Sequence, residues 1–532
     1  MKILKNAKIY TMDLQNPLAD TIAIEDSENF ESRIVAVGYA DQIIESFNTN
    51  TKVEDMNGAV IIPGLTDSHF HLQHYAHNLK KINLFEISKR ECLDRVAERA
   101  RSTHPGKWIL GHGWNQIHFS TDFPTAADLD TVAPDNPVYL TATSLHAAWV
   151  NSAALKKAGI TSETPDPPNG SFGRDEKGYP NGMLFESAMR IIEEEIPNPS
   201  LEENKSAIMD AIPNLWKLGL TGLHDFDRFP SYTALQELEK DQQLRLRIIK
   251  SLPVEELNKV FELRLRSGMG SHLLKLGSIK VFMDGALGSR TAAMLEPFEG
   301  EPENTGMLFI NGDEFFELVR EAVLDGWSIA AHAIGDRANH ELINGYQKLR
   351  ELEKSQGVFS PRHRIEHGQL LKSEDISRIA ELELIASMQP YHLAADIDMA
   401  DKYWGERSRN SFVFRSFLDQ GTKLAFGSDA PVDSENPFHG IHSAVTRCRA
   451  NGFPNSAGWY PDEKISPVEA IYAYTAGAAY AGNSEDRLGK LSSGYLADLL
   501  VLDIDPFKCD PMQLFNIGPK ATMLGGEWVW RA

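Results

Sequence analysis

The chain has 532 residues, 42% of them hydrophobic and 24% charged, the balance of an ordinary globular protein. Its net charge of −22, from 75 acidic and 53 basic residues, argues against nucleic acid or anionic membrane surfaces as partners. Neither a signal peptide nor an apolar run of about 20 residues is recognisable, so a cytoplasmic protein is expected.

Residues 1–62 read as short strands: KILKNAKIYTMD, TIAIEDS and RIVAVG alternate or run apolar, with Asn, Asp and Gly between them. Residues 483–532 read the same way in ADLLVLDID and ATMLGGEWVWRA, so the two ends are expected to meet in a discontinuous β-sandwich domain. Residues 63–482 alternate. Strand-like runs ending in polar residues are VIIPGLTDSHFH (60–71), PVYLTAT (137–143), GLTGLHDF (219–226), LRLRIIKSL (244–252), SIKVFMDG (278–285), SIAAHAIGD (328–336), RHRIEHG (362–368), LIASMQP (384–390) and KLAFGSD (423–429). Helical patterns such as FFELVREAVLDG (315–326), closed by Gly, separate many of them. Strand–helix alternation predicts a parallel sheet. Residues 72–215 are too long for one connection, so PVYLTAT is assigned to an insertion at about 75–215 that covers the active-site mouth. Eight strands then remain, the number of a (β/α)₈ TIM barrel in the α/β class. The cysteines, Cys92, Cys448 and Cys509, are far apart and odd in number, and imply neither disulfides nor a zinc knuckle.

A barrel of this kind carries its site at the C-terminal strand ends. There lie His69 and His71 on strand 1, Lys280 on strand 4, His332 on strand 5, His367 on strand 6 and Asp429 on strand 8. Side chains two apart on a strand share a face, so both imidazoles of His69-Phe70-His71 can reach one ion. A single histidine is more often a core or surface residue; the ordered set points to one or two divalent metals. Lys280, among apolar strands, has its pKa lowered by burial. It either stays an amine or reacts with CO₂ to give a carbamate able to bridge two ions, and both states fit the residues.

PGLTDSHFH, IKVFMDGALGSRTA, AHAIGDRA, RIEH and FGSDAPV, with GHGWNQ, LHAAWVNSAAL and RLGKLSSGYLADLLVLD, resemble the amidohydrolase superfamily, and more narrowly its YtcJ-like group. The resemblance implies hydrolysis of carbon–nitrogen bonds other than peptide bonds in a small-molecule amide. It also implies His69, His71, His332, His367 and Asp429 as ligands, zinc as the usual metal, and Lys280 as an N6-carboxylated bridge.

Asp429 is then the expected general acid and base. His146, in LHAAWVN, and His224, ending strand 2, are candidates to steady the oxyanion, each with a plain hydrogen-bonding role as the alternative. Trp114, Asp284, Arg290 and His392 are candidate substrate contacts at the mouth. Trp114 is otherwise a core residue, and Arg290 otherwise ties down its loop. A mononuclear deaminase of a heterocyclic amine is the competing enzyme reading, separated by Lys280 and metal stoichiometry. A non-enzymatic scaffold is a third, weakened by the intact ligand set. A homo-oligomer is compatible with everything above.

Overall fold

The computed structural model describes residues 1–27, 29–43, 52–119, 123–144, 146–359 and 361–532; Leu145, which opens LHAAWVNSAAL, lies outside them. The chain divides into two compact units, Met1–Tyr75 with Asn204–Ala532, and Ala76–Glu203.

In the first unit, among the described residues, eight strands form one parallel sheet in chain order. They are β1 (Leu65–Phe70), β2 (Leu220–Asp225), β3 (Arg247–Pro253), β4 (Leu274–Phe282), β5 (Ser328–Ala333), β6 (Arg364–His367), β7 (Ile385–Met388) and β8 (Lys423–Phe426). The sheet closes on itself at its C-terminal rim. Asp429 N donates to the His69 carbonyl at 2.7 Å, His71 N donates to the Ala430 carbonyl at 2.9 Å, and Phe70 bridges Ala430 in parallel. The architecture is the expected TIM barrel, with the strands in the expected order.

Strands buried on both faces read as near-continuous apolar runs, which is why SIAAHA (β5) and IASM (β7) are buried throughout. β6, RIEH, is equally buried yet mostly charged or polar, so each of its side chains needs a partner. The helices between strands are punctuated by their caps. Asn311 opens Gly312–Leu324 with a capping box closed by Glu314. Gly357, at φ 64°, ends Asp336–Gln356 in the left-handed conformation that favours glycine.

The chain ends supply two further sheets of the same unit. One orders Ile34–Gly38, Thr21–Ile24, Lys2–Lys5 and Lys52–Asp55. The other orders Glu527–Arg531, Pro519–Leu524, Leu499–Leu502, Val60–Pro63, Lys8–Tyr10 and Leu18–Ala19, so a C-terminal strand pairs directly with an N-terminal one. Leu4, Ile22 and Ile34 of the first pack with Ile9, Ile61, Leu499 and Met523 of the second.

The second unit has its own six-stranded sheet, which contains Val138–Ala142, the run assigned to the insertion. Its core gathers Leu84, Val96, Trp114, Leu140 and Trp149. The expected insertion extended to 215, but its last residues lie in the helix Leu201–Lys217, most of which belongs to the first unit. Among the described residues no helix is long and apolar enough to cross a membrane.

Candidate metal centre

β1 places Asp67, His69 and His71 at alternate positions, and each is fixed differently. Asp67 Oδ1 accepts from the amides of His69 and Ser428, both at 3.0 Å, tying the end of β1 to the turn after β8. Burial pushes the Asp67 carboxyl up to about 7. His69 Nδ1 lies 2.6 Å from Glu366 Oε2, and its Nε2 faces Asp429 Oδ1 at 3.5 Å. Burial, reinforced by the nearby Lys280 charge, lowers His69 to about 4, so the ring is neutral and ready to ligate. His71 lies between two carboxylates, Nδ1 at 3.2 Å from Asp227 and Nε2 at 3.2 Å from Asp429. Burial opposes its charge, but Asp227 and Asp429 outweigh burial and raise it to about 9.

Behind this rim lies a buried polar scaffold. Arg364, fully enclosed, directs Nε to Glu366 at 2.7 Å and NH2 to the Ser68 carbonyl at 2.6 Å and to Ser387 Oγ at 2.7 Å. Glu366 is therefore an anion held well below the usual carboxylate range. Burial works against it, and the Arg364 charge with the His69 hydrogen bond overcomes that cost. Lys250 pairs with Asp225 at 2.8 Å, both fully buried, and its Nζ also donates to the Asp227 carbonyl. A buried ion pair thus steadies the residue that steadies His71.

From the other strands come Lys280, His332, His367 and Asp429. His332 Nε2 donates to the Gly285 carbonyl at 2.9 Å, leaving Nδ1 as its free ring nitrogen. Burial, then the Lys280 charge, lowers His332 to about 3. His367 packs 4.5 Å from the His332 ring, and its Nδ1 is buried without a hydrogen-bond partner. Lys280 Nζ lies over Phe226 and Phe282, 4.8 and 4.9 Å from their ring centres. Burial lowers it to about 8 against the pull of Glu366 and Asp429. His367 and Asp429 have φ of 72° and 60°, a conformation non-glycine residues rarely adopt and one that clusters at functional sites.

All six expected ligands line one cavity of about 370 Å³, walled otherwise by Phe282, Leu287, Ile334, Met399 and Val432. Two groups of donors converge there, His69 with His71 and Asp429, and His367 with His392 and Asp429. The orphaned Nδ1 of His367, the neutral rings of His69, His332 and His367, and the shared carboxylate fit a divalent cation. His332 was expected to pair with His367 at one ion. Those two rings pack 4.5 Å apart with His332 Nδ1 left free, and His392 also converges on His367 and Asp429.

The remaining expected site residues are dispersed. His392 lines the cavity; its Nδ1 accepts from Gln369 Nε2 at 3.3 Å and its ring stacks 6.1 Å from His367. His224 does not line this cavity. Arg364 NH1 holds its Nδ1 at 2.7 Å, so an oxyanion role is replaced by a place in the Arg364 network. Asp284 is a staple: its carboxylate accepts from the amides of Ala293, Ile334 and Gly335 at 2.8, 3.0 and 2.9 Å, binding the loop after β4 to the loop after β5. Arg290 pairs with Glu301 at 2.6 Å and packs on Tyr403, tying down its own loop. Trp114 is a core residue of the second unit, its indole donating to the Leu140 carbonyl at 2.8 Å. His146, also in that unit, is exposed and pairs with Glu186 at 3.0 Å. Sequence reasoning missed Glu366 and Asp227, although each directly neighbours or follows a strand end already singled out.

A closed parallel barrel whose rim gathers four histidines, a buried lysine and a depressed carboxylate is the architecture of a metal-dependent hydrolase. The chain belongs to the amidohydrolase family, whose model matches residues 52–530. It is 33% identical to the amidohydrolase YtcJ of Bacillus subtilis (strain 168), over 98% of each chain. It is 26% identical to the N-substituted formamide deformylase of Arthrobacter pascens, over 98% of this chain and 96% of that one. Among solved structures it resembles an uncharacterised metal-dependent hydrolase from Pyrococcus furiosus, with a TM-score of 0.78 and 28% identity over 95% of this chain and 100% of that one.

Proposed function

We propose that this chain hydrolyses a non-peptide carbon–nitrogen bond of a small-molecule amide. The observation that carries the reading is the Asp429 carboxylate, held 3.2 Å from His71 and 3.5 Å from His69 in a cavity that also exposes His332, His367 and Lys280. The deformylase relative, by its name, acts on a bond of this kind.

One or two divalent ions, with zinc suiting the imidazole and carboxylate donors best, would supply a water acidic enough to ionise near neutral pH. His69, His71, His332, His367 and Asp429 would hold them, with Lys280 as an N6-carboxylated bridge. Lys280 suits that modification because among the described residues its Nζ makes only ring contacts and no hydrogen bond. Asp429 takes the proton of the attacking water and returns it to the departing nitrogen. Its pKa is depressed chiefly by the His71 hydrogen bond, which overcomes the cost of burial, so the group is ionised at neutral pH. His392 donates to the oxyanion, a role first expected of His146 or His224. Its Nδ1 is an acceptor for Gln369, so the proton is on Nε2, which is buried beside the cavity, makes no hydrogen bond and lies 3.5 Å from Asp433. Phe282, Leu287, Met399 and Val432 give the substrate an apolar wall.

Metal counting on purified protein, paired with a panel of N-acyl amines, tests the reading. Two ions per chain with amide turnover is the expected result. One ion with ammonia released from a heterocycle would move the assignment to a deaminase, and full turnover by Asp429→Asn would end the acid–base role.

A further inference from the structure

The mechanism above leaves two cavity carboxylates unused. Asp396 lies one helical turn after His392 on the helix Pro390–Trp404, with Met399 a turn further, so all three share the face that lines the cavity. Asp433 reaches the same space from the loop after β8. Among the described residues Asp396 makes neither a hydrogen bond nor an ion pair, and Asp433 meets only His392 Nε2, at 3.5 Å. Both are partly buried. Burial pushes Asp396 up to about 6, with the Asp433 charge adding to the shift and His392 opposing it.

A third group points the same way. Gln369 is 97% buried, lines the cavity, and gives its Nε2 to His392, yet its Oε1 has no partner. That oxygen can only accept. The cavity therefore holds two under-neutralised anions and one bare acceptor, while Lys280 is its single lysine or arginine and packs against Phe226 and Phe282. An unpaired buried charge is costly and persists where something else satisfies it.

We propose that Asp396, Asp433 and the Gln369 carbonyl form a subsite for a protonated amine carried by the substrate, separated from the scissile amide by an apolar spacer that lies along Met399, Leu287 and Val432. The inference rests on the amide-hydrolase reading for where the reacting bond lies. It narrows the substrate class to amides of amino-alkyl compounds. The subsite offers opposite charge, a neutral acceptor and an apolar approach, the features that suit an ammonium on a short carbon chain.

The test uses the metal-loaded protein and two pairs of probes. The first pair is 1,5-diaminopentane and pentylamine, titrated calorimetrically; any contact of an amine with metal is common to both, so their ratio isolates the distal ammonium. The second pair is N-formyl-1,5-diaminopentane and N-formylhexylamine, compared in turnover. Wild type should favour the cationic member of each pair by about tenfold, a 1.4 kcal/mol preference, carried by KM in the turnover pair. Asp396→Asn should bring both ratios toward one, and Asp396→Glu should keep part of them, with the metal content of each variant unchanged. Equal affinity of wild type for the two amines would overturn the proposal. So would a preference that survives in both Asp396→Asn and Asp433→Asn, or a loss of metal from Asp396→Asn, which would make that carboxylate a ligand. If neither amide is cleaved but the diamine preference appears and collapses in Asp396→Asn, the subsite stands and the hydrolytic assignment falls.

Discussion

Replacing Glu366 by glutamine changes one atom and removes one charge, which makes it a sharp probe of how the metal centre is built. Glu366 is fully buried, accepts from His69 Nδ1 at 2.6 Å and from Arg364 Nη2 at 3.2 Å, forms an ion pair with Arg364 Nε at 2.7 Å, and touches no cavity surface. Its charge makes the His69 imidazole more basic at Nε2, the nitrogen turned toward Asp429. Losing such a partner typically costs about 10–100-fold in metal affinity, or about 1.4–2.7 kcal/mol. The same substitution leaves Arg364 buried with its counter-ion gone, a loss of about 3–5 kcal/mol for a broken buried pair. The low end applies, because Arg364 retains the Ser68 carbonyl, Ser387 Oγ and His224 Nδ1. Zinc competition against a chromophoric chelator reads the first quantity, and urea unfolding of metal-depleted protein reads the second. Wild-type zinc affinity in Glu366→Gln would refute the argument that His69 is tuned through its far nitrogen.

Asp429→Asn should lower kcat by about 10²–10⁴-fold with a smaller loss of bound metal, measured by steady-state hydrolysis of an N-acyl amine beside metal analysis. Lys280→Ala should lose metal and activity together, and a bicarbonate dependence of metal reconstitution in the wild type should vanish with it. Asp284→Ala removes the acceptor of three buried amides, and a drop of about 3 kcal/mol in unfolding free energy is expected by urea titration. Asp396 has a folded pKa of about 6, above its ordinary 3.8, so its contribution is unfavourable above pH 6 and disappears below pH 4. Asp396→Asn should therefore raise the melting temperature relative to wild type at pH 8 and leave it level at pH 4, as followed by calorimetry.

Much of this was legible from residue order. Each barrel strand announced itself by an apolar run ending in a polar residue, and the candidate ligands, which line one cavity, are those where a strand ends in His, Lys or Asp. The supporting shell was not legible, for a physical reason. Glu366 meets His69 across 297 residues and Asp227 meets His71 across 156, and pairing over such distances is created by barrel closure rather than by local pattern. Inside β6, Arg364 and Glu366 form an ion pair at 2.7 Å that the order of residues alone does not reveal. Trp114 and Asp284 show the opposite error. Position near a mouth segment suggested contact with substrate, whereas an indole in a core and a carboxylate with three amide donors are consumed by folding itself.

The seam between β1 and β8 has a consequence for how the protein comes into being. His69 and Asp429 are joined there through the amide of one and the carbonyl of the other, so the first and last ligands meet only when the final strand arrives. A nascent chain that has emerged as far as the helix after β7 owns every imidazole of the centre but lacks the carboxylate they surround. Tight capture of an ion by these residues would then be an event of completion, and a bound ion would act as a clasp against reopening of the ring along that edge.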